Sequence, residues 1–260
     1  MINSASNEKI KHIKLLMEKG KVRRREGLFT AEGIRLIKEI PEADIKELYV
    51  AESFKEELPF DIKKETVSDE LFRKICDTET PQGVLAVVKM REYLLADMTA
   101  KKPLILMLED IQDPGNMGTM FRTAEAAGAA GIILMGECVD VYSPKVVRAA
   151  MGALFRLPFI KTVEDVPAWL ERLKNEDITV YAAAPAVDGI YTDNDYSKAS
   201  AFLIGNEGNG LKASTIEAVK SFGGKTVSIP MKGKTESLNA AVSAAVLMYE
   251  AARQRRSVIH

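Results

Sequence analysis

Two cysteines and two histidines are all that the 260 residues contain. Cys76 and Cys138 lie far apart and outside any CxxC pair, which argues against a disulfide framework or a zinc site and for a reducing compartment. His12 and His260 are too few for a histidine-ligated metal, so no metal is expected. No apolar run reaches membrane-spanning length. The opening Met1-Ile2-Asn3-Ser4-Ala5-Ser6 has no apolar stretch of the kind a cleaved signal needs. A soluble, cytoplasmic protein is therefore expected. Excess charge is missing too: 36 Lys and Arg face 37 Asp and Glu, a net of −1. Bulk charge thus offers no argument for a polyanionic partner. Repeats and low-complexity stretches are also absent.

What remains is a globular balance, with 47% hydrophobic residues and interspersed charges. One local imbalance stands out. Between Lys9 and Arg25 lie Lys9, Lys11, Lys14, Lys19, Lys21, Arg23, Arg24 and Arg25 against the single acid Glu18. Such a cluster reads either as a solvated helix face or as the footprint of phosphate binding.

Strand and helix signals alternate. In the first part, residues 28–30, 45–51 and 84–88 read as strands, 31–40 as a helix stopped by Pro41, and 69–76 as a helix capped by Ser68. Residues 91–102 read as a connecting segment. Beyond it the alternation becomes regular. Strands are expected at 104–108, 131–135, 179–183, 201–204 and 226–229, all continuous apolar runs of the kind that parallel sheets bury on both faces. Helices are expected at 117–127, 143–155 (Ser143 as cap), 167–175, 211–219 and 237–254. The fold class is α/β: an open parallel sheet with helices on both faces, preceded by a small α/β module. Ligands of such sheets bind beyond the carboxyl ends of the strands.

Three segments that follow expected strands carry chemistry. The first contains Asp113-Pro114-Gly115-Asn116-Met117-Gly118-Thr119-Met120-Phe121-Arg122-Thr123-Ala124. Asn116 and Arg122 are six apart, a spacing that allows both to face one end of the strand–helix junction. The second is Gly205-Asn206-Glu207-Gly208-Asn209-Gly210-Leu211, which is not the GxGxxG of a dinucleotide site. The third is Ile229-Pro230-Met231-Lys232-Gly233-Lys234-Thr235-Glu236-Ser237-Leu238-Asn239-Ala240-Ala241. Its Gly-Lys-Thr lacks the earlier glycine of a phosphate loop, since Ser228 stands there. Singly, each reads equally well as a turn before a helix.

Together, in order and spacing, the three resemble the signature motifs of the SpoU (TrmH) family of RNA 2′-O-methyltransferases, in the SPOUT superfamily. Phe29-Thr30-Ala31-Glu32-Gly33 and Thr80-Pro81-Gln82-Gly83-Val84 resemble that family's N-terminal substrate-binding domain, which in turn resembles ribosomal RNA-binding proteins of the kink-turn class. The resemblance implies S-adenosylmethionine as cofactor and a ribose 2′-hydroxyl of RNA, ribosomal RNA first, as substrate. It implies an RNA-binding domain over 1–95 with a basic leading segment (Lys9, Lys11, Lys14, Lys21, Arg23, Arg24 and Arg25 as RNA contacts), a linker over 96–102, and a methyltransferase domain over 103–260. It also implies a deep trefoil knot, a rare exception to unthreaded chains, and a homodimer through the C-terminal domain.

For the site, the resemblance makes Arg122 the catalytic arginine, with Asn116, Glu207, Ser237 and Asn239 orienting it and the nucleotide. Gly205, Asn206, Gly208, Ile229, Met231 and Leu238 would receive the cofactor, the glycines by letting backbone come close. The family assigns its arginine the role of general base on the 2′-hydroxyl. A guanidinium stays protonated to above about pH 12, so steering a phosphate and stabilising the forming alkoxide is the easier role. Many relatives carry serine where this chain has Ala150, so nothing catalytic is assigned there, and Arg148 reads as an RNA contact or a plain surface arginine. The competing readings are a tRNA 2′-O-methyltransferase, a base-nitrogen methyltransferase, and a non-catalytic RNA-binding ribosome assembly factor.

Overall fold

The computed structural model describes residues 1–99, 101–185 and 189–256. Ala100 of the expected linker and His260 lie outside the described residues. The chain divides into two compact units, Met1–Arg91 with Asp140–Phe155, and Glu92–Val139 with Arg156–His260. Among the described residues no helix is long and apolar enough to cross a membrane.

The first unit opens with α1 (Glu8–Glu18) and α2 (Gly20–Glu26). Asn7 caps α1 by accepting the Lys9 N–H, and Gly27 ends α2 in the left-handed region at φ 63°. Then come β1 (Leu28–Glu32), α3 (Ile34–Ile37), β2 (Ile45–Ala51), β3 (Lys64–Val67), α4 (Asp69–Ile75) and β4 (Val84–Lys89). The sheet order is β1-β4-β2-β3, with β2 and β3 parallel and the other pairs antiparallel. Ile10, Ile13 and Leu16 of α1 and Leu71, Phe72 and Ile75 of α4 bury one face against Leu28, Tyr49, Leu85 and Val87.

The helix expected over 31–40 is mostly strand and turn. Ala31 and Glu32 extend β1 against Ala86 and Leu85, and only 34–37 remain helical after Gly33 turns the chain at φ 98°. Strand pairing overrides local helix preference there. The polar edge strand β3 was not anticipated.

The second unit holds β5 (Leu104–Glu109), α5 (Pro114–Ala126) and β6 (Gly131–Met135). After α6 (Pro144–Ala150) and α7 (Ala153–Arg156) come β7 (Phe159–Lys161), α8 (Val166–Asn175), β8 (Thr179–Ala183), β9 (Ser200–Ile204), α9 (Ala213–Ser221), β10 (Lys225–Val227) and α10 (Ala240–Arg256). The six strands are all parallel, in the order β10-β8-β9-β5-β6-β7. Trp169, Leu170 and Leu173 of α8 and Val219 of α9 pack on Ile105, Met107, Val180, Ala182, Ala201 and Leu203. Helices α5 and α10 pack together, and α10 lies against β5 and β9. Because strand residues alternate sides, this pair takes the opposite face. The expected parallel sheet covered on both sides is what forms, with the three-residue β7 added at its edge.

The expected single helix over 143–155 breaks into α6 and α7 at Met151, which stands at φ 52°. Ser143 holds the cap position, but its hydroxyl makes no cap bond. The segment Asp140–Phe155 belongs to the first unit. Tyr142 and Phe155 place their rings 4.6 Å and 6.2 Å from that of Phe29, which is buried on β1. Aromatic contact of this kind holds the segment on the second face of the small sheet.

Candidate active site

The loops after β5, β9 and β10 all leave the carboxyl end of the parallel sheet. β5 and β9 are neighbours, so the first two loops begin side by side. Asp113 caps α5, its Oδ1 accepting the Asn116 N–H at 2.7 Å, and Pro114 supplies a first helical residue that needs no donor partner. That cap presents Asn116 to the second loop.

A continuous polar chain joins all three loops. Asn239 Nδ2 donates to Asn116 Oδ1 at 3.1 Å, and Asn116 Nδ2 donates to Glu207 Oε1 at 3.1 Å. Glu207 also accepts the N–H groups of Asp113 at 3.0 Å and Gln112 at 3.2 Å. Asn239 caps α10, its Oδ1 accepting the Ala241 N–H at 2.9 Å, so α10 begins at Ala240 instead of the expected Ser237. Each amide therefore has its orientation set by the donors and acceptors around it. Burial pushes the Glu207 carboxyl up, but the Asp113 and Glu207 N–H groups, the Asn116 amide and the Gln112 N–H outweigh it and hold its pKa below the ordinary value. Glu207 is thus an ionised acceptor that ties two loops together.

The other expected residues fall in different places. Arg122 is exposed on α5, and no hydrogen bond or ion pair engages it among the described residues. Six helical positions advance about 9 Å and turn about 240°, so Arg122 does not share the face of Asn116 as its spacing had suggested. Ser237 is exposed, two residues before Asn239. Gly205 is buried, and a Cβ there would overlap the backbone of Gly210 and Leu211. Its missing side chain therefore serves closure of its own loop, where Asn206 and Gly210 exchange backbone bonds at 3.0 and 2.9 Å. Gly208 and Gly210 are exposed, and around a Cβ on Gly210 nothing lies within 4 Å. Ile229, Met231 and Leu238 are half-buried.

The protein-family comparison matches residues 103–249 to the SpoU rRNA Methylase family and residues 7–86 to the MRM3-like substrate binding domain. The chain belongs to the SpoU rRNA methylase family. It is 35% identical over 252 residues to the 23S rRNA (guanosine(2553)-2′-O)-methyltransferase RlmP of Bacillus subtilis, covering 95% of this chain and 97% of that one. It is 30% identical over 292 residues to the human mitochondrial rRNA methyltransferase 3, covering 90% of this chain and 69% of the other. Among solved structures, the SpoU methyltransferase AviRb from Streptomyces viridochromogenes in complex with the cofactor AdoMet superposes with a TM-score of 0.84 at 30% identity, covering 96% of this chain and all of that one.

Within this SpoU chain the basic N-terminal residues are unequal. Arg23 is 4% exposed: its guanidinium donates to the Leu16 and Met17 carbonyls at 2.6 and 2.9 Å and to Asp140 Oδ2 at 2.6 Å. The expectation that Arg23 contacts RNA is corrected, because its donors close the end of α1 and anchor Asp140. Lys9 pairs with Glu65, Lys11 with Glu8, and Arg25 with Glu26, all at the surface. Arg24 is exposed, 4.0 Å from Asp140. Lys14 is half-buried and Lys21 exposed, and neither has an ion pair among the described residues. Arg148 is paired with Asp77 at 2.5 Å. Sequence reasoning missed Asp113 and Asp110; only Asp113, directly before Pro114, carried a cap signal.

Proposed function

We propose that the linked loops are the catalytic site of an S-adenosylmethionine-dependent methyltransferase acting on a ribose 2′-hydroxyl of ribosomal RNA. The observation that carries this reading is the chain Asn239–Asn116–Glu207, which draws together three segments, the outermost 123 residues apart, at the end of the sheet where ligands bind. The cofactor fits the groups present. Gly208 and Gly210 leave backbone open, and Ile229, Met231 and Leu238 retain apolar surface suited to an adenine slot. When bound, the cofactor would supply the methyl group from its sulfonium, the sulfur departing as a neutral thioether.

This chain's residues supply position and charge. Asn116, Glu207 and Asn239 fix the floor of the site, with Ser237 beside them. Arg122, a cation held by no group of its own subunit among the described residues, steers the RNA phosphate and stabilises the oxyanion as the hydroxyl releases its proton to water. Residues 1–95 recognise folded RNA through phosphate contacts, Lys14, Lys21 and Arg24 foremost, and residues 103–260 carry the chemistry.

The same reading includes a trefoil knot through the second and third loops and a cytoplasmic homodimer joined by the C-terminal domain. The exposed Val242 and Tyr249 on α10, beside small residues of that helix, support such an interface. A ribosomal target is favoured over transfer RNA by the substrate-binding domain at 7–86 and by the ribosomal substrate of the Bacillus relative.

The test is to incubate the protein with ribosomal RNA and methyl-labelled S-adenosylmethionine, digest the RNA and locate the label by mass spectrometry. Label on a ribose is the expected result. Label on a base refutes the ribose assignment, and absent transfer with RNA binding intact favours an assembly factor.

A further inference from the structure

Directly after β5, Asp110 stands in the left-handed region at φ 56°. A non-glycine residue there is uncommon, although aspartate tolerates it better than most. The conformation is matched by contacts on every polar atom. The Asp110 N–H donates to the Met135 carbonyl at 3.2 Å, and its carbonyl accepts from Asn206 Nδ2 at 2.8 Å. Its Oδ1 accepts the Glu137 N–H at 2.7 Å, and its Oδ2 meets the Lys212 ammonium at 2.6 Å. A Cβ on Gly136 would overlap Asp110 Oδ1, so the residue opposite is one that permits the carboxylate's approach. The preceding Glu109 is buried and accepts the Thr215 hydroxyl at 2.7 Å.

These contacts bracket the glycine loop on both sides. Lys212 is the residue that precedes α9, and Asn206 opens the loop. Because the Asn206 side-chain Nδ2 donates to the Asp110 carbonyl, its Oδ1 is turned inward, where it accepts the N–H groups of Gly208 at 2.9 Å and Asn209 at 3.1 Å. Glu207 lies between these points.

We infer that Asp110 is a positioning residue for the methyl transfer, setting the 205–210 loop through Asn206 on one side and Lys212 on the other. The inference rests on reading that loop as part of the cofactor and catalytic site. Asp110 touches neither substrate nor cofactor; it acts through the shape of the loop. Lys212, although exposed, is then a loop anchor and not an RNA contact.

Three variants of the full chain test it: Asp110→Asn, Lys212→Met, and the two combined. Asparagine tolerates the same backbone and keeps an oxygen for Glu137, but offers Lys212 no charge. S-adenosylhomocysteine affinity by calorimetry, turnover, the KM for RNA and the melting temperature are measured together. Each single change should weaken S-adenosylhomocysteine binding about five- to tenfold, as expected for one charge-assisted contact made by an exposed lysine to a largely buried carboxylate. The double variant should be no weaker than either single one, Lys212→Arg should restore affinity to within about twofold, and the KM for RNA should hold. Unchanged cofactor affinity in folded Asp110→Asn and Lys212→Met, additive losses, or a fall in melting temperature alone would each overturn the inference. Asn206→Ala and Glu207→Gln, measured alongside, separate the two ideas. If they too change neither affinity nor turnover, the reading of the loop fails; if they respond and the Asp110 and Lys212 variants do not, the failure is confined to Asp110.

Discussion

Two of the arginines singled out from the sequence end in opposite circumstances. Arg23 is enclosed, with its donors spent on two carbonyls and Asp140. Arg122 stands in solvent with every donor open among the described residues. A buried guanidinium whose hydrogen bonds are all met is a structural strut. One left open to solvent is available to an incoming phosphate. Arginines in basic or motif-rich sequence thus divide by what already occupies their donors.

The sharpest way to break the contrast is to remove each guanidinium. Arg122→Ala should lower turnover by about 10²–10³-fold, the usual effect of losing one stabiliser of developing negative charge. S-adenosylhomocysteine affinity should stay within about twofold, since the residue is assigned no cofactor contact. Near-normal turnover in a single-turnover assay would remove Arg122 from catalysis. Arg23→Met should behave in reverse, with activity per folded molecule retained and unfolding stability lower by about 2–4 kcal/mol because Asp140 loses its main partner. Urea denaturation measures this, and an unchanged midpoint would show that the pair contributes nothing.

Glu207 sharpens the comparison from the acidic side. Glu207→Ala strands the Asn116 amide and two backbone N–H groups, a loss of about 1–3 kcal/mol. Its pH dependence has a definite sign. The folded pKa lies below the ordinary value of 4.5, so the stabilisation is complete above that value and is lost as pH falls through the folded pKa. Acid unfolding followed by circular dichroism should show wild type and Glu207→Ala converging below the ordinary glutamate range. A gap that persists there would mean the charge is not the source.

Much of this was legible beforehand. The apolar runs at 104–108, 131–135 and 179–183 appear as buried parallel strands, because continuous hydrophobicity has few other uses at that length. Asn116, Glu207 and Asn239 were legible through motif resemblance, and they do meet. The misses have physical causes. Lys-Glu-Thr-Val at β3 is a polar edge strand that forms by pairing with β2 and has no apolar pattern of its own. Ala31 and Glu32 join a strand only because β4, more than fifty residues away, accepts them. The burial of Arg23 depends on Asp140, 117 positions further on, which no local pattern reveals. Two of the bonds holding Glu207 come from backbone N–H groups, which carry no residue signature.

The smallest expected effect separates cations within the basic helices themselves. Lys9 and Lys11 already face Glu65 and Glu8, whereas Lys14 and Lys21 have no ion pair among the described residues. A lysine that must leave a carboxylate to meet a phosphate gains less from RNA than one held only by water, and it releases fewer counterions in net. Changing Lys14 and Lys21 together to glutamine should therefore flatten the slope of log affinity against log salt by about one to two units. The same change at Lys9 and Lys11 should flatten it by less than half as much. Filter binding of ribosomal RNA fragments across a salt series reads both slopes. Equal flattening would mean that surface pairing does not govern which lysines meet RNA, and unchanged slopes would move the RNA contact off α1 and α2 altogether.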